Sequence, residues 1–434
     1  MSNHLHHTSA AFESVLRHHA KPLGRLFSLK TLRTPDDFPN FHNFIVQGRT
    51  LSGQIVNASG FDQERSLASL KAIGEFIERY SLLSASDPHI IVTGARKDLI
   101  GPVLGLDQLP LFTDEQLASP DFPWKGYTDT LYEWTEVKEL GGTSRILVPV
   151  DLLSLHKPSR IGLMGSTGAA AHTDETKALI SGILELVERD ALSIVWETQA
   201  VTPRIACNAG WHFKETRQLI DQLEAADQQV ILRDITTDIG VPVVAAVIRD
   251  RRERRPCLVL GAGAALSLVE ACKRALDEAI AVWLWMRDEH GKRETTLERV
   301  APLAFDAVEP MWQAVLYGFR EMLHDTRILT ASSKDSVARP HEATGMSPSE
   351  SLERLCSRLK VCGIDVYFRS ILAPELNDLG WYVTRVIAPD LVPLGFGSLC
   401  RPLGHPRLHS VPETCGWKHT VPPKSGKQNP IPLP

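Results

Sequence analysis

No CxxC pair occurs among the seven cysteines, at positions 207, 257, 272, 356, 362, 400 and 415, and their spacing is irregular. A zinc knuckle or disulfide framework is thereby disfavoured, and reduced thiols are the expectation. Basic charge is scarce too. Lys and Arg number 47 against 52 Asp and Glu, a formal charge of −5, without the electropositive footprint of a nucleic-acid binder. No apolar run of about 18 residues is present, so no helical membrane span is expected. The opening "MSNHLHHTSAAFESVLRHHAKPLGR" lacks the apolar core of a secretory signal, which points to the cytoplasm. Neither a Walker A loop nor the kinase signature set occurs.

What is present is an ordinary globular composition over 434 residues, 43% of them hydrophobic. That length suits one large domain or two to three smaller ones, with a core able to bury expensive polar groups. Residues 1–50 form a mixed lead-in without decisive pattern. A body follows over 51–401, and a Pro-rich tail runs from Pro402 to the final "NPIPLP". Within the body, "TLSGQIVNASGFDQERS" reads as a short β-like run, a turn at Asn57–Gly60 and the start of a helix over 63–83. "LYEWTEV", "SRILVPV", "QVILRDITT", "VPVVAAVIRD" and "CLVLGAGAAL" read as strands. The small-residue stretch "GLMGSTGAAAHTDETK" reads as a loop opening a helix over 174–196, and a third helix spans 269–289. Strands mixed with such helices indicate an α/β or α+β fold. One internal echo stands out: a doubled Glu-x-x-Glu-Arg helix.

The first copy, "GEFIERYSLL", carries Glu75, Glu78 and Arg79; the second, "LELVERDALS", carries Glu185, Glu188 and Arg189. At 100° per residue, Glu75, Glu78 and Lys71 share one face of the first helix, with Leu67, Leu70, Ile73, Phe76 and Ile77 on the other. Ordinary i,i+4 surface pairs, Glu75 with Arg79 and Lys71 with Glu75, would explain this helix alone. The second helix has almost no polar side, which places Glu188 among apolar neighbours. A buried carboxylate costs several kcal/mol unless compensated. Two such pairs facing each other need a divalent metal or protonation. Neither helix offers the Glu-x-x-His of di-iron bundles. All-oxygen ligands suit Mg²⁺ or Mn²⁺, and Mg²⁺ held this way serves phosphates. Arg79 and Arg189 would then meet phosphate oxygens. "GSTGAAAH" leads into a helix N-terminus, which favours anions. Buried structural ion pairs remain the competing explanation.

Several stretches in order, "SLASLKAIGEFIERYS", "STGAAAHTDETKALISGILELVERDA", "GAGAALSLVEACKRALDEA" and "VTRVIAPDLVPLGFG", resemble the YcaO family over roughly residues 55–434. The resemblance implies a YcaO-type ATP-binding fold whose two glutamate pairs hold Mg²⁺ around ATP. Carried over, Glu75, Glu78, Glu185 and Glu188 would be the metal carboxylates. Arg189 would contact phosphate with Arg79 in support. Ser166, Thr167, His172 and Thr173 would line the nucleotide. Arg274 would reach phosphates with Glu278 one turn on, although Arg274 and Glu278 alone would make an ordinary surface pair. The chain departs from the family pattern at Asp62, Lys71 and Lys177, which touches fine nucleotide contacts.

"PIPLP", with Pro430, Pro432 and Pro434, resembles the Pro-x-Pro-x-Pro end of azoline-forming YcaO cyclodehydratases, where the tail enters the active site. Physically it is a stiff polyproline strand, and a disordered tail is the alternative. The resemblance implies that Cys, Ser or Thr of a ribosomal precursor peptide attacks the preceding carbonyl. Phosphorylation of the oxygen by ATP and loss of phosphate would then give thiazoline or oxazoline. The Pro434 carboxylate is a candidate general base. No domain of E1-like size precedes the body, so a separate leader-binding partner is expected. A flavin dehydrogenase in the same pathway and homodimerisation are further implications. Thioamidation, a macroamidine or stand-alone azoline activity, and an inactive peptide-binding scaffold are the alternatives.

Overall fold

A computed structural model describes residues 27–32, 39–84, 92–105, 109, 111–122, 131–155, 165–207, 213–306, 311–333, 345–395, 397–422, 425–426 and 428–433. In chain order the strands are β1 (Phe27–Leu32), β2 (His42–Arg49), β3 (Ile55–Asp62), β4 (Val92–Gly94), β5 (Tyr132–Glu139), β6 (Arg145–Pro149), β7 (Ala169–His172), β8 (Gln228–Asp234), β9 (Val243–Asp250), β10 (Leu258–Ala264), β11 (Tyr367–Ser370) and β12 (Tyr382–Ile387). The principal helices are α1 (Arg65–Leu83), α2 (Glu175–Glu197), α3 (Leu268–His290), α4 (Pro348–Val361) and α5 (Arg407–Thr414).

These strands form three sheets, β1-β2-β3, β10-β9-β8 and a six-stranded β4-β5-β11-β12-β7 with β6 beside β5. Every named strand pair is antiparallel. Helices of α/β length on antiparallel sheets make this a mixed α+β fold. Each long helix covers the strand that precedes it: α1 lies on β3, α2 beside β7 and β12, and α3 on β10 and β9.

Strand periodicity explains how the β10-β9-β8 sheet is buried on both faces. Val243, Ala245 and Val247 join the core around α2, while Val244, Ala246 and Ile248 join the core under α3. Alternate side chains of one strand thus feed two cores. The α2 helix begins at Asp174, whose side chain accepts the Lys177 N–H, and α3 begins at Ser267, which accepts that of Glu270. Both are good N-cap residues for the same reason: a short oxygen-bearing side chain satisfies an orphan donor.

Two expectations from sequence are corrected. Asn57–Gly60 is not a turn but part of β3, and Ala169–His172 is strand β7 within the expected loop. Small residues occur there because a helix lies close above. A Cβ on Gly60 would sit 2.0 Å from the Ala68 carbonyl and 2.3 Å from the Ala72 nitrogen. Gly263 faces the equivalent atoms of α3, 2.6 Å from the Ala271 carbonyl and 2.5 Å from the Ala275 nitrogen. The small side chains permit close strand–helix approach rather than chain reversal. A third correction follows, since the echo is threefold. The β3–α1, β7–α2 and β10–α3 units each end in a helix bearing an inward glutamate.

Candidate active site

In each unit the glutamate reaches back to a backbone N–H near its own strand. Glu75 accepts from Ser59 at 2.8 Å, Glu185 from Gly168 at 2.9 Å and Glu278 from Ala262 at 2.6 Å. The separations along the chain are 16, 17 and 16 residues. A carboxylate anchored through one oxygen keeps its second oxygen available. Glu188 crosses between units, accepting the Ala264 N–H at 3.1 Å.

The units converge on a cavity of about 830 Å³. Glu75, Glu78, Glu185, Glu188-paired Arg189 and Glu278 meet there with Arg79 and the Gly165–Thr167 backbone. Arg79 pairs with Glu75 at 2.7 Å; Arg189 pairs with Glu188 at 3.3 Å and with Glu185 at 3.8 Å. The lining also has an apolar part, with Val282, Trp285, Met311 and Leu394.

This concentration of carboxylates is electrostatically costly. Burial pushes Glu78 well above the usual carboxylate range, and Glu185 and Glu75 push it further. Glu188 is raised to about 8, chiefly by burial, with Arg189 opposing and Glu278 and Glu185 adding repulsion. Burial also raises Glu75 and Glu278, offset by Arg79 and Arg189 respectively and by the strand N–H groups. Added positive charge would relieve the cluster. Among the described residues no group of three or more His, Cys, Asp or Glu side chains could hold a metal ion. The donor set instead fits hard cations bound by one or two carboxylates and completed by phosphate oxygens and water, the usual manner of Mg²⁺.

Residues expected at the site separate into two groups. Ser166 and Thr167 line the cavity with Glu75, Glu78, Glu185, Glu278 and both arginines, whereas Glu188, expected as a metal carboxylate, pairs with Arg189 and does not itself line it. Lys71, His172, Thr173 and Arg274 do not line it. Lys71 pairs with Asp62 at 2.7 Å, so two departures from the family pattern compensate each other, and the expected Lys71–Glu75 pair is replaced. Arg274 pairs with Glu270 at 2.9 Å and donates to the Ala264 carbonyl, leaving Glu278 to the cavity. The His172 Nδ1 accepts the Asp174 N–H, and burial together with the Lys177 charge holds the ring below the usual imidazole range. Pro430 and Pro432 are buried, and Pro434 lies outside the described residues. Leu67, expected on the buried face of α1, is 43% exposed. Ser66 and Ser69 take the buried positions instead, because small side chains suit the contact with β3.

Sequence reasoning missed Arg385. It is 1% exposed, donates from Nε to the Leu152 carbonyl at 3.1 Å and from Nη2 to the Gly165 carbonyl at 2.8 Å. It therefore braces the Gly165–Thr167 wall from below. A lone arginine inside the apolar strand "YVTRVI" was the available signal, since an unpaired buried cation requires a reason. Trp285 and Met311 carried no signal beyond apolar periodicity.

Such a site, acidic helices and arginines around a cavity without a Walker A loop, defines a class of nucleotide-binding α+β proteins distinct from P-loop folds. The family model described as YcaO cyclodehydratase, ATP- and Mg²⁺-binding, matches residues 57–392, and the chain belongs to the YcaO family. An uncharacterized protein of Methanothermobacter thermautotrophicus is 27% identical, covering 60% of this chain and 65% of its own. An uncharacterized protein in the tfuA 3′ region of Rhizobium leguminosarum bv. trifolii is 28% identical, covering 59% and 60%. Among solved structures, a heterocyclase in complex with substrate and cofactor aligns with TM-score 0.76 at 20% identity, over 98% of this chain and 57% of that one. YcaO from Methanopyrus kandleri bound with AMPPCP and Mg²⁺ aligns with TM-score 0.63 at 20% identity, over 89% and 91%. The matches therefore span under two thirds of both curated relatives and of the aligned heterocyclase.

Proposed function

We propose that this protein is an ATP- and Mg²⁺-dependent peptide cyclodehydratase. It would convert Cys, Ser or Thr of a ribosomal precursor peptide to thiazoline or oxazoline, with a separate leader-binding partner. The observation that carries the reading is the convergence of Glu75, Glu78, Glu185 and Glu278 with Arg79 and Arg189 on one cavity. An amide oxygen is a poor leaving group, and phosphorylation makes it a good one. Mg²⁺, when bound, neutralises phosphate charge and charge developing during transfer.

The chain's own residues have distinct tasks in this reading. Glu75, Glu78, Glu185 and Glu188 would supply oxygens for bound cations, one or two carboxylates to each ion. Arg79 and Arg189 turn from carboxylate to phosphate and hold the transferred group in line. Gly165–Thr167 backs the polyphosphate, braced by Arg385. The wall of Trp285, Met311 and Leu394 suits an apolar surface of nucleotide or peptide. The segment Pro430–Leu433 assists ring closure, which distinguishes this reading from thioamidation, where the same phosphorylation precedes attack by sulfide.

Incubation with ATP, Mg²⁺, a leader-binding partner and a Cys- and Ser-rich precursor tests it. Loss of one water mass per ring supports cyclodehydration. Exchange of oxygen for sulfur, when sulfide is supplied, supports thioamidation. Binding of nucleotide and peptide without mass change supports a scaffold.

A further inference from the structure

We propose that Trp196, Tyr317 and the Arg401–Glu197 ion pair form a receptor within the chain that positions the Pro-rich segment 428–433 for the reaction. The segment is not loose. Ile431 is 2% exposed and Leu433 1%. The Asn429 carbonyl accepts from Trp196 Nε1 at 2.9 Å and from Arg401 Nη1, the Pro430 carbonyl accepts from Tyr317 Oη, and the Gln428 N–H donates to the Ser398 carbonyl at 3.1 Å.

The chemistry of the segment explains this choice of partners. Proline has no N–H, so an Asn-Pro-Ile-Pro-Leu run offers carbonyls as its main handles, and a receptor must present donors. Three side-chain donors on separate elements do so. Arg401 is 1% exposed, and its Nε donates to Glu197 Oε1 at 2.6 Å. Glu197 fixes one edge of the guanidinium, which leaves another nitrogen aimed at Asn429. Trp196 and Tyr317 pack edge to face at 5.6 Å, which locks both donors. A buried ion pair is a poor source of net stability, so its presence beside a carbonyl handle favours orientation as its role.

The receptor also shares a helix with the active site. Trp196 and Glu197 end α2, and Arg189 lies seven residues back, about 10 Å by helical rise. Pro430–Leu433 bends back on itself, the Leu433 N–H donating to the Ile431 carbonyl at 2.9 Å. Anchored at Asn429, the segment packs Ile431 and Leu433 into the core around α2, the helix that carries Glu185, Glu188 and Arg189. Its role in ring formation rests on the function proposed above; the anchoring does not.

Full-length Tyr317→Phe and Trp196→Phe test the proposal, each removing one donor while leaving an aromatic side chain in place. Hydrogen exchange at Ile431 and Leu433, read by mass spectrometry of the C-terminal peptide, should quicken about fivefold to tenfold with other peptides unchanged. In a ring-forming wild type, kcat should fall while the KM for ATP and the nucleotide Kd stay constant. Unchanged exchange, faster exchange throughout the protein, or unaltered kcat would each overturn it. A wild type that forms no rings would overturn the cyclodehydratase reading instead, with exchange still deciding whether the anchor exists.

Discussion

Glu188 on α2 and Ala264 on β10 meet at 3.1 Å, and this contact joins two strand–helix units. The other strand-anchored glutamates bond within their own units. Glu188 therefore holds the site together while contributing one of its least tolerable charges. Glu188→Gln keeps an acceptor for Ala264 and removes the charge. We expect its thermal midpoint to equal or exceed that of the wild type at pH 8 and above, with Mg²⁺–nucleotide affinity down at least tenfold. Calorimetry in both modes measures the two effects.

The pKa shifts give a pH dependence with a defined sign. Glu188 binds its proton up to about pH 8 when folded, against 4.5 for an ordinary glutamate. The folded protein thus holds more protons than the unfolded chain between those values. Stability from this group is complete below pH 4.5 and declines as pH rises through about 8. Binding of Mg²⁺ and nucleotide favours the ionised form, so it should release protons at pH 7 and progressively fewer above pH 8. Titration calorimetry in buffers of different ionisation enthalpy counts them. Net proton uptake would contradict the arrangement.

Gly263→Ala places a methyl group 2.5 Å from the Ala275 nitrogen and 2.6 Å from the Ala271 carbonyl. Backbone cannot yield as a flexible side chain does, so we expect a loss of about 1–3 kcal/mol or more in denaturant unfolding. The same substitution at Gly60 should behave alike, and a neutral effect at both would refute the close strand–helix approach.

The three long helices and strands β5, β6, β8, β9 and β10 were legible in the sequence because long periodic helices and apolar strands carry strong local signals, whereas β7 and the second half of β3 were not. The Glu75–Arg79 pair was legible from i,i+4 spacing and is present at 2.7 Å. Gly60 was read as turn material, since spacing along a chain does not say what packs above a glycine, whereas Gly168 does lie in the turn before β7, with φ of 85°. The partner of Lys71 was missed for a related reason. Asp62 lies nine residues away, outside the helix that the projection considered, and strand β3 brings it alongside. Arg385 and the donors to Asn429 were hidden because they depend on long-range contacts.

The Lys71–Asp62 pair is half exposed at lysine, 54%, so it should be worth little. Lys71→Ser combined with Asp62→Ala should change stability by less than about 1 kcal/mol, and a double-mutant cycle measures the coupling. If Lys71 also contacts nucleotide, Lys71→Ser alone weakens binding by more than the cycle's stability term.

Arg385→Gln removes a buried fork that ties Leu152 to Gly165. We expect a loss of about 3–5 kcal/mol in unfolding free energy. Exchange should quicken at Gly165–Thr167, which hydrogen exchange of the covering peptide reads.

Titration calorimetry of a non-hydrolysable ATP analogue, with and without Mg²⁺, on the wild type and on Glu75→Gln and Glu185→Gln tests the central claim. Saturable binding that requires Mg²⁺ and weakens at least tenfold in each variant is the predicted result. Binding indifferent to Mg²⁺, or equal in all three proteins, would contradict it.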